Sequence, residues 1–153
     1  MRISIRPFLL AMVISLLGIR ASAQVGPPTP ADTSLFRGNV FDLLQKQPLP
    51  YEENFSSTPL ARSQTLSASM VQIRQKLSLH YHLVSEEIVY VIKGRGIMTV
   101  GKEIRPIQPG DVIAIPRGVA HSVENRSPEP LVAVSVMSPP FDGKDRIFVE
   151  TKE

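Results

Sequence analysis

The 153-residue sequence contains no cysteine and no tryptophan, and it contains only three histidines. Without cysteine, disulfides, thiol nucleophiles and thiolate-rich structural zinc sites are all excluded. A chain of this length can still bury an adequate core, so a single domain is expected. Any imidazole-based site must draw on the same three side chains.

The sequence also lacks an apolar run long enough to span a bilayer. Its most apolar stretch, FLLAMVISLLGI at 8–19, follows the basic start MRISIRP and precedes the small residues Ala21 and Ala23. This three-part plan is typical of a secretory signal peptide. We therefore predict a signal over 1–23, cleaved after Ala23, and a secreted or periplasmic protein; the alternative is an uncleaved anchor or a buried helix.

An excess of charge of one sign is absent once the signal is removed. The chain has 17 Lys and Arg against 14 Asp and Glu, and three of the arginines, Arg2, Arg6 and Arg20, lie in the predicted signal, which holds no acid. The remaining chain is balanced at 14 of each sign. Nothing in this balance favours nucleic acid or an anionic membrane as a partner.

Three segments are predicted for the chain. Residues 1–23 are the signal, and the proline-rich stretch QVGPPTPA at 24–31 is a flexible leader. Residues 32–153 form one domain with a core at about 67–150. Within 32–60, NVFDLLQKQP fits a short helix capped by Asn39 and ended before Pro48, but an edge strand fits equally well.

From Ser67 onward the sequence predicts strands and turns. SASMVQIRQKLSLHYH alternates, with Val71, Ile73, Leu77 and Leu79 on one side. IVYVI is apolar on both faces, which predicts a strand covered by two layers. Turns are predicted at VGKE and at QPGD, which has the Pro-Gly pair of a type II turn. Further strands are predicted at IMTV, VIAI, HSVEN and LVAVSVM. Short strands at this spacing indicate an all-β sandwich or barrel.

Two of the three histidines, His80 and His82, lie two residues apart in a predicted strand. Their side chains therefore project from the same face, where two imidazoles can share one ion. Either Glu86 or Glu87 could add a carboxylate, and the alternation of the strand does not choose between them. Most His-x-His pairs are ordinary exposed or hydrogen-bonded residues, so this pair alone does not establish a metal site.

A second pattern, GDVIAIPRGVAHSVEN, places glycine, proline, glycine, histidine and asparagine at the spacing G-x5-P-x-G-x2-H-x3-N. Its five positions are Gly110, Pro116, Gly118, His121 and Asn125. Average composition gives this pattern by chance roughly once in 10⁷ starting positions. Here the sequence resembles the cupin superfamily, of the small single-domain type. The first cupin signature, H-x-H-x3-4-E-x6-G, is met by His80, His82, Glu87 and Gly94.

The resemblance implies a cupin jelly-roll barrel, a double-stranded β-helix. It also implies a metal site with His80, His82, Glu87 and His121 as ligands, and the spacing to Gly94 selects Glu87 rather than Glu86. The longer form of the first signature begins with glycine, where this chain has Arg74. We expect that departure to affect only the local backbone.

Three imidazoles and one carboxylate suit a divalent transition metal such as Mn, Fe, Ni, Cu or Zn, with a coordination position left open. Cupins with this ligand set include dioxygenases, decarboxylases, isomerases and lyases that act on small organic molecules, so the resemblance implies a metal-dependent oxidoreductase of the dioxygenase type, an isomerase or a lyase. We therefore expect a small-molecule substrate, with a non-catalytic binding protein as the alternative. A homodimer is expected from the resemblance alone, and no general base is identified.

Overall fold

A computed structural model describes residues 36–150, so the predicted signal and leader lie outside the described residues. The described part forms one short helix, α1 (Val40–Lys46), and ten strands. The strands are β1 (Phe55–Arg62), β2 (Ser67–Ile73), β3 (Lys76–Tyr81), β4 (Glu86–Lys93), β5 (Gly96–Val100), β6 (Glu103–Ile107), β7 (Val112–Ile115), β8 (His121–Asn125), β9 (Leu131–Ser138) and β10 (Ile147–Phe148).

The strands build two five-stranded sheets, ordered β1-β2-β9-β4-β7 and β10-β3-β8-β5-β6. Every strand pair is antiparallel. Consecutive strands such as β2 and β3 lie in different sheets, so the chain crosses repeatedly between the two layers. The predicted all-β jelly-roll barrel is confirmed.

The core lies between the two sheets and is built from the alternate residues that point inward from each strand. Its buried members come from both sheets: Ile73, Val91, Met98, Ile107, Ile115, Val123, Leu131 and Ala133. Six of these residues also line the cavity described below.

Residues 40–46 are helical, so the helix and not the edge strand is the correct alternative. Asn39 caps α1 by accepting a 2.8 Å hydrogen bond from the Phe41 N–H, and Pro48 follows the end of the helix. The chain after α1 is fixed to β2 by the buried side chain of Gln72, which binds the backbone of Gln47 and Leu49. This segment therefore lies over the outer face of β2.

The alternating stretch 67–82 is two strands and not one. The chain turns at 74–75 and changes sheet, and an extra residue between Leu77 and His80 forms a β-bulge against β8. As a result, Leu77 and His80 both face the interior although they differ in parity. The prediction that Leu79 shares the inner face with Leu77 is wrong for this reason.

Arg74 occupies the turn where the longer cupin signature has glycine. Its guanidinium donates hydrogen bonds to the carbonyl oxygens of Leu49, Pro50 and Glu53 at 2.9–3.1 Å. The side chain therefore ties the segment before β1 to the β2–β3 turn. The departure from the signature leaves the histidines that follow in place.

The strand containing IVYVI is covered on one face only. Ile88 and Tyr90 are 49% and 47% exposed, whereas Val91 on the other face is fully buried. The prediction of a strand covered on both faces is therefore wrong. An apolar outward face is compatible with either arrangement, so the sequence alone did not separate them.

Both predicted turns are present. Gly101 and Lys102 join β5 to β6 as a two-residue hairpin, and Gln108–Asp111 forms a turn closed by a 3.1 Å backbone hydrogen bond. Strands β1 and β10 were not predicted.

Candidate metal centre

His80 and His121 meet because β3 and β8 are neighbours in one sheet. The two residues are directly opposite each other in the strand register, and their ring centroids are 4.1 Å apart. Both side chains are buried. The first and second sequence patterns are therefore brought together by the pairing of strands about 40 residues apart.

His82 lies just beyond the end of β3 and is positioned by the second pattern. Its carbonyl oxygen accepts a 2.6 Å hydrogen bond from the N–H of Gly118, and Gly118 has φ +76°, a conformation that favours glycine. The ring of His82 is buried with its centroid 5.3 Å from those of both other imidazoles. The turn before His121 therefore also fixes the backbone of His82.

The carboxylate comes from the opposite sheet. Glu87, on β4, places Oε2 at 3.2 Å from Nε2 of His121 and 3.5 Å from Nε2 of His82. Glu86 is exposed and points to the other face of β4. The structure therefore brings Glu87, and not Glu86, next to His82 and His121.

Each imidazole is oriented by a backbone carbonyl. Nδ1 of His80 lies 2.7 Å from the carbonyl oxygen of Ser78, Nδ1 of His121 lies 3.0 Å from that of Val119, and Nδ1 of His82 is bonded to that of Asp145. A carbonyl oxygen can only accept, so each Nδ1 carries the hydrogen and each Nε2 keeps its lone pair. Metal-binding histidines are held in this way in proteins.

The donor atoms fit a cation. The ligating atoms of the three histidines lie within 4.8 Å of one another, so His80, His82 and His121 could hold a metal ion. Nε2 of His82 and Nε2 of His121 are buried and have no hydrogen-bond partner among the described residues. Two ligand atoms that share an ion at about 2.1 Å lie roughly 3.0–3.4 Å apart. The distance from His121 Nε2 to Glu87 Oε2, 3.2 Å, is within this range, and that from His82 Nε2, 3.5 Å, is just above it.

The pKa shifts indicate which groups carry charge. Burial, and then the charge of His121, lower the pKa of His80 to about 4, so this ring is neutral at pH 7. Burial alone would raise the pKa of Glu87, but the facing imidazoles of His121 and His82 and the hydroxyl of Ser135 favour the ionised carboxylate and hold that pKa well below its usual range. Burial alone would lower the pKa of His82, but the effects of Glu87 and of the Asp145 carbonyl are larger, and the pKa of His82 is raised. Positive charge between His82 and Glu87 is therefore favoured.

Sequence reasoning missed two residues that support the site. The buried hydroxyl of Ser135, on β9, donates a hydrogen bond to Oε1 of Glu87, which leaves Oε2 facing the histidines. A signal existed, because Ser135 is a lone hydroxyl within the apolar run LVAVSVM. Ser135 therefore fixes the carboxylate in the way that backbone carbonyls fix the imidazoles.

The second missed residue, Asp145, belongs to a segment that we name the C-terminal strap, residues 141–148. The strap pairs with β3 through β10, and the Asp145 carboxylate accepts hydrogen bonds from the N–H groups of Leu83, Val84 and Ser85. Asp145 thus holds the β3–β4 loop and, through its carbonyl, the ring of His82. No sequence signal identifies it, since its partners lie about 60 residues away.

A cavity of about 40 Å³ opens beside these side chains inside the barrel. Its polar lining consists of His80, Glu87, His121 and Arg146. The remaining lining residues are apolar: Phe55, Val71, Ile73, Leu77, Val89, Met98, Ile107, Val123, Leu131 and Ala133.

This fold and this histidine cluster define a class, small antiparallel β barrels whose interior could hold a metal ion. The sequence profile of the cupin domain matches residues 70–137. A relative, the uncharacterized protein MJ1618 of Methanocaldococcus jannaschii, is 37% identical over 87 residues, which are 57% of this chain and 70% of that protein. The chain belongs to the cupin family.

Solved structures show the same fold. An RmlC-like cupin from Shewanella frigidimarina superposes with a TM-score of 0.55 at 19% identity, over 61% of this chain and 83% of that chain. An oxalate decarboxylase from Lactobacillus farciminis, in a formate complex, gives a TM-score of 0.52 at 31% identity, over 57% of this chain and 27% of that chain. This chain therefore corresponds to about a quarter of the decarboxylase. In residues 36–150, no helix has the length and apolarity needed to cross a membrane.

Proposed function

We propose that this chain is an exported cupin that holds one divalent transition metal through Nε2 of His80, His82 and His121 and a carboxylate oxygen of Glu87. The observation that supports it best is the pair of buried Nε2 atoms, without partners among the described residues, that both face Oε2 of Glu87. These two nitrogens and Oε2 of Glu87 are three acceptor atoms, which repel one another at this distance unless positive charge lies between them.

When bound, the metal supplies a Lewis acid and a position at which a small organic molecule can be polarised or oriented. The protein supplies the rest of the site. The imidazoles and Glu87 fix the donor geometry, and the apolar wall of the cavity excludes bulk water and strengthens polar interactions inside.

We propose further that the site transforms its ligand, as an oxidoreductase of the dioxygenase type, an isomerase or a lyase. The 31% identity with an oxalate decarboxylase solved with formate supports a small organic molecule as the ligand. The alternative is binding without turnover. Oxygen uptake and substrate loss, measured with metal-loaded protein and small acids, phenols and sugars, distinguish the two.

The metal site is tested by elemental analysis of protein produced in mixed-metal medium. We expect about one transition-metal ion per chain in the wild type and a loss of metal in His121→Ala and Glu87→Gln. Glu86→Gln is the matched control, because the carboxylate of Glu86 faces away from the site. This variant should keep the metal. Equal metal content in the wild type and in both ligand variants would contradict the proposal.

A further inference from the structure

Arg146 extends into the cavity from the C-terminal strap. Its side chain is part of the cavity lining, whereas Phe148, two residues further on, is 56% exposed although its ring lies 5.8 Å from that of His80. The guanidinium carbon lies 4.9 Å from the ring centroid of Phe55 and 5.3 Å from that of Phe141. Two aromatic rings thus hold the cation in a defined position.

Among the described residues, this guanidinium has no ion-pair partner. Its Nε is buried and has no hydrogen-bond partner there, and no described carboxylate lies within 4.0 Å of it. Glu87 is the only acidic residue in the described lining of the cavity; it attracts the guanidinium at longer range, but its two oxygens face Ser135 and the histidines. Arginine remains protonated in proteins, so a partly buried cation is left without a contacting counterion in residues 36–150.

Such a cation destabilises the folded chain unless something else satisfies it. Apart from the proposed metal ligands, Arg146 is the only polar side chain in the described lining of the cavity. With a divalent ion in place, the metal, Glu87 and Arg146 would together carry a net charge of +2. The net positive charge of this interior would favour the binding of an anion.

We propose that Arg146 binds the carboxylate of the ligand, and that the substrates of this site are small organic carboxylates. This inference rests on the metal site proposed above, and it adds the substrate class. The planar fork of a guanidinium matches the two oxygens of a carboxylate, and the apolar wall accommodates a short hydrocarbon part.

The size of the cavity limits the ligand. A volume of about 40 Å³ holds roughly three water-sized groups. That is about the size of a carboxylate group itself, so the cavity suits the smallest carboxylates, such as formate and acetate. A phosphoryl group is larger, carries more charge and needs more donors than one guanidinium provides.

Calorimetric titration with acetate and with its neutral analogue acetamide tests this assignment. In zinc-loaded wild-type protein we expect acetate to bind at least about tenfold more tightly than acetamide. Arg146→Met keeps an apolar side chain between the two rings and should weaken acetate binding at least about tenfold, with acetamide binding unchanged. Arg146→Lys, which keeps the charge but not the fork, should be intermediate. Arg126→Met removes an exposed arginine and serves as the control.

Metal content is measured first in every variant, and thermal unfolding without acetate gives a second readout. Because Arg146→Met removes an unpaired cation, its melting temperature should equal or exceed that of the wild type; a structural role for Arg146 predicts a clear fall. The assignment is overturned if Arg146→Met binds acetate within about twofold of the wild type, or if the wild type binds acetamide as tightly as acetate. If the wild type holds no metal, the proposed function fails, and acetate binding to the metal-free protein still tests Arg146 alone.

Discussion

The four proposed donors are held in two different ways at the residue scale. The three imidazoles are oriented by backbone carbonyls, which no side-chain substitution removes, whereas Glu87 is oriented by the hydroxyl of Ser135. The carboxylate is therefore the donor whose orientation depends on another side chain.

We accordingly expect Ser135→Ala to weaken metal affinity by about 10- to 100-fold while the fold is retained. Competition with a chromophoric chelator measures this affinity. Ser56→Ala is a matched control, since the Ser56 hydroxyl is buried in the neighbouring region of the same sheet and has no hydrogen-bond partner among the described residues. Equal affinities of the two variants would show that Ser135 does not position Glu87.

At the same scale, the resemblance to the two cupin signatures predicted the residues that the structure brings near one another, and sequence reasoning failed where a contact is made across the fold. The two signatures contain His80, His82, Glu87 and His121. They also contain the glycine and proline residues that form the turns beside these side chains. Arg146 belongs to neither signature. Its role depends on two aromatic rings from distant segments, which no local pattern encodes.

At the scale of elements, Asp145 fixes the C-terminal strap to the β3–β4 loop. Burial alone would raise the pKa of Asp145, but the N–H and hydroxyl groups of Ser85 and the N–H groups of Val84 and Leu83 outweigh it, so the pKa is lowered. A carboxylate with a lowered pKa stabilises the fold when it is ionised.

Asp145→Ala should lower the free energy of unfolding by roughly 2–4 kcal/mol, because it leaves the loop N–H groups without acceptors. For Asp145→Asn the loss should be smaller and should depend on pH. The difference from the wild type should be constant above about pH 5 and should shrink as the pH falls through the usual aspartate value of about 3.9 and below it. Urea denaturation at a series of pH values measures this, and a difference that grows on acidification would contradict the role of Asp145.

Elements were predicted from sequence where alternation and turn residues agree. Strands β7 and β8 lie where VIAI and HSVEN predicted them. Strand β1 was not predicted because FSSTPLAR contains a proline and few apolar residues. Strand β10 was not predicted because two residues are too few to form a pattern. Both are edge strands, which need less burial than central strands and therefore show weaker sequence signals.

At the scale of the whole molecule, the paired signatures predicted the barrel because each fixes a turn between the two sheets. The outer surface was less predictable, as Ile88 and Tyr90 show, because apolar residues are common at exposed positions. The homodimer expected from the resemblance to cupins stays a prediction.

Export is also a property of the whole chain, and it too stays a prediction. Expressed with its natural start in a host with a general secretory pathway, the protein should lose residues 1–23 and begin at Gln24. N-terminal sequencing and intact mass of the extracytoplasmic fraction measure this. An intact protein that still begins at Met1 in the cytoplasm would contradict it, and Ala23→Tyr, which spoils the cleavage position, should yield the uncleaved precursor.

The strap has a further consequence for how this family is delimited. Residues 70–137 include every position of both signatures, yet the acceptor that sets the His82 tautomer and the cation beside the donors come from residues 145 and 146. A fragment trimmed to the signatures would keep all four donors and would leave one ring free to rotate. The residues that contact this site therefore extend beyond the segment matched by the family profile.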